Sequence, residues 1–101
     1  MRHQSATAHE LARVGLLANV PGESLLRLGE RMDREDLAPG AIVTPTETRF
    51  YAVLGGMVTG PGGLLRPGDS YEVGPGQSLR ALTPASVAGC PRSVVTELTG
   101  R

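Results

Sequence analysis

The segment from Glu72 to Arg80 has the residue types best suited to binding a small anion. Its glycines and small polar residues can turn successive backbone N–H groups toward a phosphate or a carboxylate, and Arg66 and Arg80 add positive charge nearby. The candidate ligand-binding residues are Glu72, Gly74, Gly76, Gln77, Ser78 and Arg80. The same segment also fits a tight turn between two strands, and this second interpretation is favoured because Pro-Gly turns are so common in loops.

Nothing in the sequence has the spacing of a catalytic or metal site. His3 and His9 precede every predicted strand and have no partner at a ligand spacing, so we expect surface histidines. Cys90 has no histidine in the β-rich region to activate it, which favours a structural thiol over a nucleophile. The sequence therefore predicts a protein that is not an enzyme and needs no cofactor or metal.

Length and composition narrow the class of protein further. A chain of 101 residues is expected to form one domain, 1–101, and its ten basic and ten acidic residues give a formal charge of zero. A neutral chain lacks the basic stripe that nucleic acid requires, and no apolar run reaches the length of a signal peptide or a membrane span. Cys90 is the only cysteine, which excludes an intramolecular disulfide and favours a reducing compartment. We expect a cytoplasmic protein without a nucleic-acid or membrane partner.

Helical spacing is found near both ends of the chain. We predict N-terminal helices within 5–32, with Ser5 as the first cap, and a short C-terminal helix over 91–99. In the second helix, Gly22 to Met32, three apolar residues share one face, namely Leu25, Leu28 and Met32. The outer face carries two i,i+4 charge pairs, Glu23–Arg27 and Glu30–Arg34.

Between the helices, residues 34–90 are divided by frequent Pro-Gly and Gly-Gly pairs into pieces too short for helices. The predicted strands are Glu35–Ala38, Ala41–Thr44, Arg49–Leu54, Met57–Thr59, Leu64–Leu65, Ser70–Val73, Ser78–Leu82 and Ser86–Gly89. Gly55-Gly56 is expected to close a two-residue hairpin, since both glycines tolerate positive φ. Short strands at this turn density predict a mainly β fold, a sandwich or a jelly-roll-like barrel that is closed or nearly closed.

The order of these motifs resembles the cyclic nucleotide-binding domain family over residues 16–98. Leu37 to Val43 is similar to the family's first hairpin, Phe50 to Val58 to its central strand and turn, and Leu65 to Asp69 to the turn before the ligand pocket. Leu79 to Pro84 is similar to the strand that leaves the pocket. The resemblance implies a cyclic-nucleotide-binding-like β-roll with two N-terminal helices and one short C-terminal helix.

One segment departs from the family pattern. The resemblance implies a phosphate-binding cassette after Asp69, with a Glu that contacts ribose, a short helix and an Arg that pairs with the phosphate. Glu72 is similar to that Glu, but only Val73 to Gln77 precede the next strand, and no Arg is among them. Five residues with two glycines and a proline cannot form a helical turn and also present an Arg. The cassette is therefore predicted to be degenerate, and tight binding of cyclic nucleotide is not expected.

Two functions of different classes remain open. In the first, the β-roll is a protein-interaction, scaffold or assembly module that contacts a protein partner or copies of itself. In the second, the domain senses a small ligand or a cyclic nucleotide through Glu72 to Arg80 and acts on a partner in trans. The shortened cassette favours the first, because a fold alone does not determine function.

Overall fold

The computed structural model describes residues 8–100, so His3 and the predicted cap Ser5 lie outside the described residues. The helices are α1 Ala8–Ala12, α2 Gly22–Arg31 and α3 Arg92–Thr99, with a 3₁₀ helix at Gly15–Leu17. The strands are β1 Asp33–Leu37, β2 Ile42–Val43, β3 Arg49–Gly55, β4 Val58–Gly60, β5 Gly63–Leu65, β6 Ser70–Val73, β7 Leu79–Ala81 and β8 Ala85–Pro91. All eight predicted strands are confirmed, with boundaries that differ by no more than about two residues.

The strands form two antiparallel sheets of four strands each. The first sheet has the order β1-β8-β3-β6 and the second has the order β2-β7-β4-β5. No ladder joins the two sheets within residues 8–100, so the expected mainly β roll is confirmed as two facing sheets and not as a closed barrel.

The prediction of a hairpin at Gly55-Gly56 is wrong. Strand β3 pairs with β6 and β8, whereas β4 pairs with β5 and β7, so the chain crosses from one sheet to the other at this point. Gly56 has φ +74°, and a Cβ there would overlap the backbone of Pro84 and Ala85. The Gly-Gly pair thus permits a close crossing between sheets, and the two-residue hairpin lies instead at Pro61-Gly62, between β4 and β5.

The segment Leu37–Val43 is a second crossing and not a hairpin. Strand β1 pairs with β8 in the first sheet, while β2 pairs with β7 in the second. Gly40, at φ +88°, donates its N–H to the carbonyl of Ala81 at 2.8 Å and so ties the crossing to β7. Both errors have one cause: local turn chemistry indicates that the chain turns, but does not determine which strand it pairs with afterwards.

The first sheet separates two apolar clusters. Along β3, alternate side chains point to opposite faces, so Phe50 and Ala52 meet the helices while Tyr51 and Val53 face the second sheet. The helix-side cluster also contains Leu11, Leu17, Leu25, Leu28, Met32, Cys90 and Val95, all nearly or fully buried. The cluster between the sheets contains Val58, Val73, Leu79, Ala81 and Val87.

The α2 helix buries the predicted face. Leu25, Leu28 and Met32 are at most 3% exposed, and the Glu23–Arg27 pair is present on the outer face at 3.4 Å. The predicted Glu30–Arg34 pair is wrong, because the helix ends at Arg31 and Arg34 belongs to β1. There the Arg34 guanidinium donates to both carboxylate oxygens of Glu10, at 2.7 and 2.9 Å, and ties α1 to the first sheet.

The predicted C-terminal helix is confirmed as α3, which buries Val94 and Val95 against the first sheet. It ends at Gly100, which has φ +73° and donates its N–H to the Thr96 carbonyl at 2.9 Å. At the other end, the segment after α1 contacts the turn that follows β5, where Gly15 donates its N–H to the Gly68 carbonyl at 3.0 Å. Helices from both termini therefore pack against the first sheet or its adjoining turn.

Candidate anion-binding segment

Glu72 lies in β6 and points away from the space between the sheets. It pairs directly with Phe50 of β3, and paired residues share a face, so Glu72 projects toward the helices. Its carboxylate accepts a hydrogen bond from Nε of Arg92 on α3 at 3.1 Å. Tyr71, its neighbour, points the other way and packs against the cluster between the sheets. Glu72 thus contributes to docking α3, on the face opposite to the roll interior.

The link from β6 to β7 is a tight turn. Gln77 donates its backbone N–H to the Gly74 carbonyl at 3.1 Å, and Gly76 between them has φ +82°. The Gln77 side-chain oxygen, Oε1, accepts the Gly74 N–H at 2.8 Å. No helical turn is present between β6 and β7. Two of the N–H groups proposed for an anion are therefore already used within the turn.

The remaining candidates meet on another surface. Gly76, Gln77, Ser78 and Arg80 line an open depression of about 450 Å³ together with Thr59, Gly60 and Pro61. Leu79 and Ala81, on either side of Arg80, point into the cluster between the sheets, so Arg80 projects to the outside of the second sheet. Within residues 8–100 Arg80 has no ion pair. The depression thus offers one available guanidinium beside small polar groups, separated from Glu72 by the turn.

The space between the sheets is filled by side chains. Tyr51 is 4% exposed and lies against Gly89, where a Cβ would overlap its ring. The Arg49 guanidinium is 5.7 Å from the centre of that ring and 3.4 Å from the Asp33 carboxylate. Burial raises the pKa of the Tyr51 hydroxyl, although the Arg49 charge opposes the rise. Sequence reasoning missed this group, because β1, β3 and β8 become neighbours only through sheet pairing.

Cys90 is fully buried on the helix side, and burial raises the pKa of its thiol to about 11, so at neutral pH it is protonated and inert. Among the described residues no three His, Cys, Asp or Glu side chains are grouped as metal ligands. Within the same range no helix has the length and apolar character needed to span a bilayer.

No protein-family model and no curated protein matches the sequence. Solved structures do match it. The regulatory domain of Toxoplasma gondii PKA with cAMP is 19% identical, with a TM-score of 0.72 over 90% of this chain and 43% of that chain. The regulatory subunit of a cAMP-independent protein kinase A from Trypanosoma brucei is 16% identical, with a TM-score of 0.75 over 91% of this chain and 41% of that one.

A cyclic nucleotide-binding-like protein from Brucella abortus is also similar, at 18% identity and a TM-score of 0.64, over 90% of this chain and 95% of that one. The chain has the fold of a cyclic nucleotide-binding domain. It spans less than half the length of the two kinase regulatory chains. The cyclic-nucleotide-binding fold confirms the resemblance drawn from residues 16–98, while ligand binding by Glu72 to Arg80 stays a prediction.

Proposed function

We propose that this chain is a non-enzymatic regulatory module that acts by binding a protein partner and does not hold cyclic nucleotide tightly. The observation that carries this proposal is the Gly74–Gln77 turn, which stands where the resemblance implies a helix and a phosphate-binding Arg. A charge-assisted hydrogen bond to phosphate is worth about 1.5 to 3 kcal/mol, so its loss weakens binding by about one to two decades. Glu72, similar to the ribose-contacting Glu, is engaged by Arg92 on the helix side.

The similar structures support a regulatory role. Whether this chain binds a nucleotide has to be argued from its own side chains. One is a regulatory domain with cAMP, and another is the regulatory subunit of a cAMP-independent kinase. The same fold thus occurs in a domain with cAMP and in the subunit of a cAMP-independent kinase, so nucleotide binding must be judged from the residues of the site. In this chain Tyr51, Val73 and Leu79 are buried between the sheets, and the Gly74–Gln77 turn uses the N–H groups of Gly74 and Gln77 for its own hydrogen bonds.

A thermal melt with cyclic nucleotide tests the proposal. A ligand at 100 times its dissociation constant adds about 2.7 kcal/mol of stability, which raises the Tm of a domain this size by roughly ten degrees or more. We expect no such rise with millimolar cAMP or cGMP. The Toxoplasma gondii regulatory domain, which is known with cAMP, is the positive control in the same plate. A nucleotide-dependent rise in Tm of that size would contradict the proposal.

The second candidate function is a sensor that binds a small anion and acts in trans. It is favoured by Arg80, which has no ion pair within residues 8–100 and lies at the depression beside Gly76–Ser78. If this function holds, a ligand raises the Tm of the wild type and Arg80→Ala abolishes the rise. If the protein-binding function holds, Arg80→Ala leaves the melt unchanged with or without nucleotide.

A further inference from the structure

The outer face of the second sheet carries an unusual set of side chains. The strand register places Ile42 of β2, Arg80 of β7, Thr59 of β4 and Leu64 of β5 in one row across the sheet. Met57 precedes the buried Val58 and Leu82 follows the buried Ala81, and the Leu82 N–H donates to the Met57 carbonyl at 2.9 Å. These six residues, Ile42, Met57, Thr59, Leu64, Arg80 and Leu82, are named the Arg80 face.

The Arg80 face is apolar and open to solvent. Ile42, Leu82 and Leu64 are 62%, 49% and 44% exposed, three of the five large apolar side chains that are exposed among the described residues. Helices α1, α2 and α3 pack on the opposite side of the molecule, against the first sheet, so among the described residues no helix covers this face. Contiguous exposed apolar side chains on a small soluble domain mark an interaction surface more often than chance.

Charge is almost absent from the face, with one exception. Arg80 is the only charged residue on β2, β4, β5 and β7, whereas the edge strand β1 reads Asp-Arg-Glu-Asp-Leu. Charged edges such as β1 keep sheets from associating, and the second sheet lacks this protection. Methionine and arginine, both present on this face, are enriched at interface centres, where other charged residues are depleted.

The arginine at the centre of this face determines the chemistry of its occupant. No carboxylate within residues 8–100 is ion-paired with Arg80, and the depression beside Gly76–Ser78 gives access to its guanidinium. Covering the apolar row without supplying an acceptor would bury an unpaired charge, which is costly. An occupant that supplies one carboxylate among apolar side chains would cover the apolar row and also pair with the Arg80 guanidinium.

We infer that the Arg80 face docks a segment of a partner protein that presents a carboxylate flanked by apolar side chains. This inference rests on the proposed protein-binding function and names the surface and the chemistry of the partner. A second copy of this chain is a poorer occupant: in a two-fold face-to-face dimer each Arg80 meets the other, and like charges in contact are repulsive.

Peptide selection on the folded chain tests the inference. A random dodecapeptide phage library is selected on immobilised wild type and, in parallel, on Arg80→Glu. We expect the wild type to enrich an Asp or Glu flanked by apolar residues, and Arg80→Glu to enrich Lys or Arg at that place. For a wild-type-selected peptide, Arg80→Ala should weaken binding by about tenfold to a hundredfold. Arg13→Ala is the matched control, because Arg13 is exposed on the helix side, and it should leave the affinity unchanged.

The other outcomes overturn the inference. These are a selection without a carboxylate preference, a selection that enriches no peptide, and NMR shifts from the bound peptide confined to α1 and α2. A dimer in light scattering that Ile42→Asp abolishes also overturns it, because the occupant is then a second copy. Shifts confined to the helices would leave the protein-binding function standing with a different surface. The nucleotide melt tests that function independently of any peptide.

Discussion

The two sheets of this small domain differ in how many of their faces are covered by other parts of the chain. The first sheet has helices on one face and the second sheet on the other, so Ala52 and Val53, adjacent on β3, are both buried. The second sheet is covered on its inner face only: Leu79 is fully buried, whereas Ile42, in the next strand, is 62% exposed. Stability is therefore concentrated at the first sheet and the inner face of the second, while the outer face of the second remains available for binding.

The two faces of the second sheet should differ most under truncation. Leu79→Ala removes a fully buried side chain and should lower the free energy of unfolding by about 3 to 5 kcal/mol. Leu64→Ala, on the outer face at 44% exposure, should cost less than about 1 kcal/mol. Urea unfolding followed by circular dichroism measures both. Equal losses would show that the outer face is covered in the folded chain.

The crossing between the sheets is the next most sensitive point. Gly56→Ala forces a side chain into positive φ and against the Pro84–Ala85 backbone, and should cost about 2 to 4 kcal/mol. Gly55→Ala is the matched control, since a Cβ there meets nothing within 4 Å, and it should change stability by less than about 1 kcal/mol. Guanidinium denaturation midpoints compare the two variants. If neither variant lowers the denaturation midpoint, the result would contradict the close contact between Gly56 and the Pro84–Ala85 backbone.

The helix side of the first sheet should lose stability at alkaline pH through Cys90. Burial raises the pKa of its thiol from 9.0 to about 11, so the folded chain keeps this proton over a range in which the unfolded chain loses it. Its contribution is complete below pH 9.0 and disappears as the pH rises toward 11, a change of about 2 kcal/mol. Denaturant unfolding between these pH values should show the loss, and Cys90→Ala should reduce the slope. An identical slope in the variant would contradict the assignment.

The smallest expected difference in unfolding free energy is between loss of a half-buried ion pair and loss of an exposed one. Glu10→Gln removes the negative charge and one of the two oxygens that accept hydrogen bonds from Arg34, and should cost about 1 kcal/mol. Glu23→Gln, at the exposed pair with Arg27, should cost less than about 0.5 kcal/mol. Thermal unfolding at low and high salt measures both, and a smaller loss for Glu10→Gln than for Glu23→Gln would contradict the docking of α1 by this pair.

Local sequence signals predicted the elements but not their partners. Proline, glycine and alternating apolar residues predicted the eight strands, because these preferences act within a few residues. The same signals assigned a hairpin to Gly55-Gly56, since two positive-φ residues suit a hairpin turn and a crossing between sheets equally well. Pairing depends on residues distant in sequence, such as Ala52 opposite Ala88, and a single sequence does not reveal it.

The arrangement of the candidate site also depends on strand pairing, which the sequence alone does not reveal. The shortness of Val73–Gln77 excluded a helical cassette from the sequence alone, and the structure has none there. The side of the sheet to which Glu72 points is known only from its pairing with Phe50. The position of Arg80 between Ile42 and Thr59 is known only from the strand pairing of the second sheet. Predicted site residues therefore separated onto different surfaces once the strands were paired.

The alternation of the chain between the sheets has a consequence for how the domain folds. Every connection between successive strands changes sheet except the β4–β5 hairpin, so neither sheet can assemble from a continuous stretch of sequence. Most native contacts then require distant residues to meet, which slows folding relative to a helical protein of equal length. A fragment that ends before β7 lacks strands of both sheets, and one that ends at β7 still lacks β8, which lies between β1 and β3 in the first sheet. Folding should therefore be all-or-none, and the nascent chain should remain unfolded until β8 has been synthesised.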